Sequence, residues 1–508
     1  MLQCGWWPRD ELKQDTRNKA VALSLANLDK LPAGIARPTY RRADLSPGIV
    51  HIGLGNFHRG HQAWYLHRLM QQGLALDWAI IGAGVRPGDA VMRDRLLAQD
   101  CLTTLIELDP AGISAEVIGS MIDFVPVEDG HGPLIATMSD PRIRIVSLTV
   151  TEGGYYLDAT GKLDVTHPDI QHDMAHPNTP RTAFGAMIAA LANRKREGHA
   201  PFTGQSCDNL QGNGAILRRT LVGLARGSDA ELADWIDATA SFPNSMVDCI
   251  VPATGEAERE RARSFGVEDA APVTHENFRQ WVIEDRFCQG RPDWDKVGAT
   301  FTADVHRYEA MKIRMLNAGH QVLANAGELL SLPTIASCMG DTQIARFFHR
   351  VQTTEISPHV AAVPGMSAEA YLDLISRRFS NPKIHDTTRR VAFDGSSRHV
   401  GFILPILRDA LATGTPMSGL ALTEALWARM CHGTREDGSR IEANDPVWSD
   451  LVTVAQAART EPRRWLEQTH IYGDLAQNSA FAATFEHCLR LVWQQGTRAA
   501  LAQYADDS

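Results

Sequence analysis

The stretch IVHIGLGNFHRGHQAWYLHRLMQQG, residues 49–73, joins a short apolar run, two glycines and a helical repeat. The apolar run IVHIGLG (49–55) predicts a buried strand that ends in Gly53 and Gly55. In the segment after it, apolar side chains recur at near-helical spacing, namely Phe57, Trp64, Tyr65, Leu66 and Leu69. The stretch therefore predicts a strand, a glycine turn and a helix, in that order.

A Gly-x-Gly turn of this kind is typical of dinucleotide binding. Its first glycine permits the tight turn, and its second lets the backbone approach a pyrophosphate at the start of the next helix. The fit is incomplete, because His58 stands where the strict pattern has a third glycine and the next glycine is Gly60. His58 and Arg59 are interpreted either as phosphate contacts or as solvated polar residues of the helix start. The turn alone leaves nucleotide binding open, and the neighbouring strands favour it.

The acidic residue expected about 20 positions after the glycine turn is not cleanly present. The second strand-like run, WAIIGAG (78–84), continues into VRPGD, so Asp89 is the best candidate to contact an adenosine ribose. A third run, RIRIVSLTVTEGG (142–154), is rich in β-branched residues. Strands that alternate with helices indicate a parallel sheet covered by helices, which is the α/β class.

Helical periodicity dominates after about residue 300, and residues 180–240 also look helical. We therefore predict an N-terminal arm over 1–47, an α/β dinucleotide-binding domain over 48–299 and a mainly helical domain over 300–508. A chain of 508 residues is long enough for two or three domains.

Composition narrows the function classes. The formal net charge of −10 argues against a nucleic-acid-binding protein, although local arginines could still bind a small anion. The N-terminal sequence MLQCGWWPRDELKQD has no basic start followed by an apolar stretch, and no run approaches the ~20 apolar residues that span a bilayer. The eight cysteines are scattered, as expected for reduced thiols. We expect a cytoplasmic protein without a membrane or nucleic-acid partner.

The segment KIRMLNAGHQVLANAGELL (312–330) carries Lys312, Asn317 and His320 inside an apolar helical run. On an ideal α-helix they fall at roughly 0°, 140° and 80°, which is one broad face. Burial lowers the pKa of a lysine, and a neutral amine accepts a proton. An asparagine amide can donate to a developing alkoxide, and a histidine can orient the same oxygen. The set suits deprotonation of an alcohol as hydride leaves its carbon.

Each of these three polar residues also has a structural interpretation. Lys312 could extend its amine to solvent, Asn317 could cap a helix, and His320 could be a core histidine with its hydrogen bonds satisfied. Three such groups converging amid apolar side chains favour the catalytic interpretation.

The segment KIRMLNAGH resembles the Lys-x4-Asn-x2-His signature of the polyol-specific long-chain dehydrogenases, the family of mannitol dehydrogenase and fructuronate reductase. Further segments resemble that family in the same order, from about residue 40 to about residue 490. They are GLGNFHRGHQAWY (53–65), TVTEGGYY (149–156), SCDNLQGNG (206–214), FPNSMVDCIVP (242–252) and FSNPKIHDTTRRVAFDGSS (379–397).

The resemblance implies a Rossmann-type nicotinamide-binding domain, a helical C-terminal domain, catalysis in the cleft between them and no metal. The resemblance implies that Lys312 is the general acid/base and that Asn209 and Asn317 form the oxyanion pocket. It also implies that His320 hydrogen-bonds the reactive oxygen. The other roles that it implies are substrate binding by Asp248, Arg390 and Arg398, a proton relay through Glu309, and cofactor binding by Gly53, Gly55, Asn56, Phe57, Asp89, Thr151, Glu152 and Gly153.

Several of these roles have plain alternatives at the sequence level. Asn209 could cap the following helix, Asp248 could be a turn residue and Glu152 an ordinary loop acid. The charge of Glu309 would raise the pKa of Lys312 whereas burial would lower it, and the sequence does not fix the net sign.

Three residues depart from the family pattern. Cys249 replaces a common arginine, and Arg398 replaces the lysine frequent in mannitol enzymes, so a carboxylate could be gripped bidentately. The segment RPGD (86–89) lacks the paired acids of strongly NAD-selective members. Asp89 should still repel a 2′-phosphate, so we expect NAD, with NADP as a partial alternative.

The leading hypothesis is a monomeric NAD-dependent oxidoreductase that interconverts D-mannitol and D-fructose or a close polyol and ketose. Reduction of fructuronate or tagaturonate is the alternative within the same chemistry, and Arg390 and Arg398 are the residues that could support it. A non-catalytic nucleotide-binding protein on the same fold is the alternative from another class.

Overall fold

The computed structural model describes residues 20–158 and 161–506. Within this part the chain forms two compact units, one ending at His306 and the other beginning at Arg307. The boundary predicted from the sequence lies near residue 300. Residues 1–19 of the predicted arm lie outside the described residues, and the ranges 1–47, 48–299 and 300–508 stay predictions.

All the described strands belong to the N-terminal unit. They are β1 (Val21–Ala22), β2 (Pro47–Ile52), β3 (Ala79–Ala83), β4 (Thr103–Asp109), β5 (Gly112–Ile118), β6 (Met121–Phe124), β7 (Ile145–Leu148), β8 (Thr203–Ser206), β9 (Ser245–Asp248), β10 (Val267–Glu268), β11 (Val273–Glu276), β12 (Gln280–Glu284) and β13 (Thr300–Thr302). The α-helices of this unit, with α10 crossing its boundary, are α1 (Asn56–Gly60), α2 (Gln62–Met70), α3 (Asp89–Leu97), α4 (Gly132–Ser139), α5 (Pro168–Ala175), α6 (Ala183–Glu197), α7 (Asn213–Ser228), α8 (Ala230–Thr239), α9 (Glu256–Ser264) and α10 (His306–Met311).

The central sheet has five parallel strands in the order β6-β3-β2-β7-β8. This is the order of a doubly wound dinucleotide-binding sheet, with the first strand, β2, in the middle. Ile52 pairs with Ala83 on one side and with Leu148 on the other, so three strand ends meet beside the glycine turn. The predicted α/β class and parallel sheet are confirmed, and WAIIGAG and RIRIVSL supply β3 and β7.

Residues of β2 point alternately to the two faces of this sheet. Val50 and Ile52 belong to a core formed with α4, α6, α7 and α8, whereas Ile49 belongs to the core on the other face with α2. Both faces are buried, which explains why the parallel strands read as continuous apolar runs.

Smaller sheets flank the central one. One has the order β11-β4-β5, another has the order β13-β12-β9, and β1 pairs with β10. Strand β9 runs antiparallel to β12, with Asp248 opposite Gln280. The residues before β2 pack onto the unit, since Leu23, Leu31 and Ile35 are buried.

The C-terminal unit is mainly helical in the part that the structure describes. Its α-helices are α11 (Ala318–Leu329), α12 (Ile335–Gly340), α13 (Thr342–Val351), α14 (Ala368–Phe379), α15 (Thr388–Val391), α16 (Gly395–Arg398), α17 (Leu404–Thr413), α18 (Ser418–Met430), α19 (Trp448–Ala458), α20 (Arg463–Leu466), α21 (Thr469–Tyr472), α22 (Ser479–Gln495) and α23 (Thr497–Asp506). Three π-helical stretches interrupt them, at Lys312–Asn317, Gln352–Ile356 and His399–Ile403. The predicted mainly helical C-terminal part is confirmed.

Short 3-10 helices connect several of these elements, at Leu25–Lys30, Arg42–Asp44, Leu76–Trp78, Asp129–His131, Glu152–Tyr155, Trp294–Val297, Ser357–His359 and Gly473–Gln477. Across residues 20–158 and 161–506, none of the helices combines the length and the apolar character needed to cross a bilayer.

Candidate active site

The glycine turn lies where β2 ends. Gly53 has φ +89°, and a Cβ placed there would lie 2.3 Å from the Thr149 carbonyl oxygen. Only glycine accommodates both the conformation and this contact. The Gly55 N–H donates to the Gly53 carbonyl at 2.8 Å, and α1 begins at the next residue, Asn56. The turn therefore points the first N–H groups of a helix at the strand ends, as a pyrophosphate requires.

A chain of hydrogen bonds links the glycine turn to β7. The Thr149 hydroxyl donates to the Gly53 carbonyl at 2.7 Å, and the His51 ring joins Thr149 to Ser147, with both contacts at 2.8 Å. Burial lowers the pKa of His51 to about 3. The ring is therefore neutral, so Nε2–H donates to Thr149 and Nδ1 accepts from the Ser147 hydroxyl.

Arg59 supports the turn from inside the protein. It is fully buried and donates to the Ala271 carbonyl and, at 2.8 Å, to Oδ1 of Asn56. The Asn56 amide in turn donates to the Pro252 carbonyl and to the Thr254 hydroxyl. His58 is also buried and stacks on His51 with ring centroids 3.4 Å apart. The interpretation of His58 and Arg59 as solvated helix-start residues is wrong, because both pack into the core.

Asp89 closes the loop after β3. Its Oδ2 accepts the N–H groups of Val85 and Arg86, both at 3.0 Å. A Cβ at Gly84 would lie 2.3 Å from the Asp89 Cβ, so this glycine admits the carboxylate. Asp89 therefore orders the segment RPGD at the carboxyl end of β3, and its contact with a ribose stays a prediction.

The loop after β7, residues 149–155, is held by a side chain that the sequence analysis did not single out. The Asp208 carboxylate accepts the N–H of Thr151 at 2.8 Å, the N–H of Val150 at 3.2 Å and the Tyr155 hydroxyl at 2.8 Å. Thr151 has φ +69° and ψ 165°, a region normally left to glycine. The carboxylate thus stabilises a strained backbone at the segment predicted to bind the cofactor, which includes Glu152 and Gly153.

Asn213 joins the Asn209 segment to β9. Its amide donates to the Asp208 carbonyl at 3.0 Å and to the Ser245 carbonyl at 2.8 Å, and its Oδ1 accepts the Ser245 N–H. This places the residue before Asn209 beside the strand that ends in Asp248. The following helix begins at Asn213 with Gly212 as its N-cap residue, so the interpretation of Asn209 as its cap is wrong. Asp248 is buried at the end of β9 rather than in a turn.

In the C-terminal unit, Lys312 and Asn317 are the first and last residues of a π-helical stretch. The Ala318 N–H reaches back five residues to the Ile313 carbonyl, which is the π pattern. The ideal α-helical angles assumed from the sequence are therefore wrong for this segment. A π turn contains more residues than an α turn, so residues five apart lie closer to one face. The Lys312 side chain is mostly buried, with 9% of the residue exposed.

His320 follows on α11 and stacks on Phe379, with ring centroids 4.2 Å apart and planes 21° apart. Burial lowers the pKa of His320 to about 4, and the neighbouring Arg390, Arg378 and Arg398 act in the same direction, while Asp386 opposes them. The imidazole is therefore neutral at neutral pH. Within the described residues its buried Nε2 has no hydrogen-bond partner, so the interpretation of a satisfied core histidine fails for that nitrogen.

The two predicted substrate-binding arginines have different surroundings. Arg390 binds Asp386 with two contacts, Nε at 2.8 Å and Nη2 at 2.6 Å, and 61% of its side chain is exposed. Arg398 donates to the Val391 carbonyl at 2.6 Å. The Asp386 Oδ2 lies 3.8 Å from the His320 Nε2. Asp386 thus binds Arg390 and lies near the ring of His320 without a hydrogen bond to it.

Comparison with known proteins places these features in one family. Residues 47–296 match the mannitol dehydrogenase Rossmann domain and residues 304–493 match the mannitol dehydrogenase C-terminal domain. The chain belongs to the mannitol dehydrogenase family. The assignment made from the sequence to the polyol-specific long-chain dehydrogenases, which are enzymes, is thereby confirmed.

Individual mannitol dehydrogenase relatives cover almost the whole chain. A mannitol 2-dehydrogenase of Cereibacter sphaeroides is 56% identical over 470 residues, which are 92% of this chain and 98% of the relative. A mannitol 2-dehydrogenase of Phaeosphaeria nodorum is 39% identical over 98% of this chain and 88% of its own length. The solved Pseudomonas fluorescens mannitol 2-dehydrogenase, a ternary complex with NAD and D-mannitol, is 39% identical with a TM-score of 0.86, over 96% of this chain and 100% of that chain. A substrate-free D-sorbitol dehydrogenase is 34% identical with a TM-score of 0.87, over 94% and 100%.

Three side chains of this mannitol dehydrogenase family member were missed as functional candidates, although the quoted motifs contain them. Asp208 and Asn213 lie within SCDNLQGNG, and Asp386 lies within FSNPKIHDTTRR. The contact of Asp208 with Thr151, that of Asn213 with Ser245 and the approach of Asp386 to His320 join residues that are distant in sequence, so only the fold reveals them. Among the described residues, no group of three or more histidine, cysteine, aspartate or glutamate side chains is arranged to hold a metal ion.

Proposed function

We propose that this chain, an NAD-dependent polyol dehydrogenase, interconverts D-mannitol and D-fructose. The observation that carries the proposal is the placement of Lys312 and Asn317 at the two ends of one π-helical stretch, with His320 on the helix that continues it. The Cereibacter sphaeroides relative named mannitol 2-dehydrogenase and the Pseudomonas fluorescens complex with NAD and D-mannitol support the choice of substrate.

The N-terminal unit fits a dinucleotide on its own geometry. A Cβ at Gly55 would have its nearest neighbour at 3.9 Å, and a Cβ at Gly153 would meet nothing within 4 Å. Both glycines therefore border open space that a side chain would fill. In the proposal the pyrophosphate of the dinucleotide is held by Gly53, Gly55, Asn56 and Phe57.

The remaining cofactor contacts are assigned to the ends of β3 and β7. In the proposal Thr151, Glu152 and Gly153 would hold the nicotinamide, and Asp89 would bind the adenosine ribose. The carboxylate of Asp89 disfavours a 2′-phosphate because two negative charges would then be close. NAD is accordingly the proposed cofactor, and NADP is a weaker alternative.

The proposed chemistry is an alcohol oxidation and its reverse. NAD, when bound, would supply the acceptor for the hydride that leaves carbon 2 of the polyol. The Nζ of Lys312, in its unprotonated form, would take the hydroxyl proton as the C–H bond breaks and the carbonyl forms, and Glu309 would pass the proton on. In ketose reduction Lys312 returns the proton.

Three further residues act on the same oxygen in this proposal. Asn317 and Asn209 are given the same role, donation of an amide N–H to the developing alkoxide. His320 donates from its neutral ring, and its unpartnered Nε2 supports that role.

Recognition of the rest of the substrate is assigned to Asp248, Arg390 and Arg398. The Asp248 carboxylate is suited to a sugar hydroxyl. The charge of Arg390 is already balanced by Asp386, which favours a neutral polyol over a uronate at that residue. Reduction of fructuronate or tagaturonate remains the alternative to be tested.

The deciding experiment is a panel of substrates followed by absorbance at 340 nm with NAD and with NADP. The panel contains D-mannitol, D-sorbitol, D-fructose, fructuronate and tagaturonate. We expect the highest kcat/KM for the pair D-mannitol and D-fructose with the NAD couple. A higher value for fructuronate than for fructose selects the uronate alternative. NADH binding without turnover of any substrate selects the non-catalytic alternative.

Independence from metal, a monomeric state and a cytoplasmic location remain part of the proposal. Dialysis against EDTA should leave kcat unchanged. Light scattering of the purified protein should give the mass of one chain, 55.8 kDa.

A further inference from the structure

A buried amide from a neighbouring helix contacts the backbone of the π turn that carries Lys312. Gln352 Nε2 donates to the Met315 carbonyl at 2.8 Å. Gln352 is fully buried and begins the second π-helical stretch, Gln352–Ile356, which continues α13. Met315 lies between Lys312 and Asn317. The second π-helical stretch therefore contacts the first at Met315, between Lys312 and Asn317.

This contact matters because a π turn disturbs the regular helical ladder. The Ala318 N–H is shared between the carbonyls of Ile313 and Met315. A carbonyl that shares a donor is weakly satisfied by its own helix, and a buried carbonyl needs good partners. The Gln352 amide supplies such a partner to Met315. It thereby stabilises the π geometry against a regular α-helix.

Gly319 provides the space for this amide. A Cβ at Gly319 would lie 2.6 Å from Gln352 Nε2 and 2.9 Å from Phe348 Cε2, closer than such atoms pack. The same position would be 3.6 Å from Phe379, whose ring stacks on His320. Gly319, which lies between Asn317 and His320 in the sequence, thus packs against Gln352 and leaves room for its amide to reach the π turn.

We propose that Gln352 is a positioning residue for the general acid/base, acting through the Met315 carbonyl on the π turn. The inference rests on the proposed function, since it assumes that Lys312 and Asn317 act on the same oxygen. In a regular α-helix, residues five apart are separated by roughly 140° around the axis. Loss of the amide lets the segment relax toward that arrangement and turns Lys312 away from Asn317.

The consequence is a defect in chemistry rather than in cofactor binding. Gln352 lies in the C-terminal unit, whereas the dinucleotide fold is formed by the N-terminal unit. A displacement on the order of 1 Å at a reacting group costs about 10²-fold in rate. We therefore expect kcat to fall between about 10- and 10²-fold on that basis, with NADH affinity unchanged.

The test is Gln352→Met, which keeps the length of the side chain and removes the donor. A matched control is Gln468→Met, because Gln468 is also buried in the C-terminal unit and donates to a backbone carbonyl, that of Trp465, away from the π turn. The measurements are kcat and KM for D-mannitol, NADH binding by fluorescence, and the primary isotope effect with D-mannitol deuterated at carbon 2.

The expected result is a lower kcat and a larger isotope effect in Gln352→Met, with NADH binding and the Gln468→Met enzyme as in wild type. A folded Gln352→Met enzyme with wild-type kcat and isotope effect overturns the inference. If Gln352→Met does not fold, Gly319→Ala decides in its place, because its added methyl displaces the amide. Wild-type kcat in that variant would equally overturn it.

A parallel assay of Lys312→Ala separates this inference from the proposed function. An active Lys312→Ala enzyme removes the proposed role of the lysine, whatever Gln352 does. An inactive Lys312→Ala enzyme together with a normal Gln352→Met enzyme removes the positioning role alone.

Discussion

The Asp208 carboxylate accepts the N–H of Thr151 at 2.8 Å and thereby holds a backbone conformation that only glycine adopts readily. The same carboxylate binds the Val150 N–H and the Tyr155 hydroxyl, so three donors point at one charge. Asp208 is itself buried and directly precedes Asn209. Asp208 therefore holds the loop assigned to the nicotinamide and directly precedes Asn209, the residue assigned to stabilise the oxyanion.

Replacement of Asp208 by asparagine should destabilise this loop. The amide cannot accept all three hydrogen bonds, and its NH₂ group would face other donors. We expect a loss of about 1–3 kcal/mol in the free energy of unfolding and a higher KM for NAD. Urea denaturation and steady-state kinetics measure the two effects. Asp164→Asn is the control, because Asp164 is a partly exposed loop aspartate that also accepts an N–H and a hydroxyl. Equal stability of the Asp208→Asn enzyme and wild type would contradict the prediction.

The two glycines of the turn should respond differently to alanine. At Gly53, φ is +89° and the methyl would lie 2.3 Å from the Thr149 carbonyl, so Gly53→Ala should lose roughly 1–3 kcal/mol or more in unfolding free energy. At Gly55, φ is −98° and the methyl has room within the protein. Gly55→Ala should therefore fold normally and raise the KM for NAD, because the methyl occupies the approach of the pyrophosphate. Thermal melts and NAD titrations of both variants check this contrast, which an unaltered KM in Gly55→Ala would refute.

The N-terminal fold was predictable because its signals are local. The run IVHIGLG, the glycine pair and the amphipathic segment after it each reflect short-range geometry, and β3 and β7 show the apolar runs of buried parallel strands. Strand β8 was not predicted, since TGQS (203–206) is short and polar and becomes a strand only by pairing with β7.

The sequence singled out residues of the candidate site, but it did not predict their local geometry. Lys312, Asn317 and His320 stood out as polar groups in an apolar helix, whereas the hydrogen bond from Gln352 to the π turn joins residues that are distant in sequence. Asp386 was hidden for the same reason, because only the folded chain brings its Oδ2 within 3.8 Å of the His320 Nε2. Periodicity describes an isolated helix and contains no information about such partners.

His320 should make stability depend on pH. Its pKa is about 4 in the folded protein and 6.5 in the unfolded chain, so the unfolded state binds the proton first as pH falls. The contribution of His320 to the unfolding free energy is therefore fully present above pH 6.5. It is lost as the pH falls toward 4, and the loss is at most on the order of 3 kcal/mol. His51 and His67, whose pKa values burial lowers to about 3 and about 4, act in the same direction.

The contribution of His320 is isolated by comparing how steeply the unfolding free energy of each variant depends on pH. We expect the unfolding free energy of His320→Asn to change less between pH 6.5 and pH 4 than that of wild type. His470→Asn, at an exposed histidine, serves as the control and should keep the wild-type slope. Parallel slopes for wild type and His320→Asn in urea titrations would show that the His320 ring takes up its proton in the folded state as readily as in the unfolded one.

Lys312→Ala tests the central chemical assignment. Without the amine no group at that position takes the hydroxyl proton, so kcat should fall on the order of 10²–10⁴-fold, the usual contribution of a general base. NADH binding should persist, because the dinucleotide fold belongs to the N-terminal unit. Added primary amines should restore part of the rate in proportion to their concentration of free base, and they should not accelerate Asn317→Ala, which keeps its lysine. A Lys312→Ala enzyme with near-normal kcat would transfer the proton-accepting role to another residue.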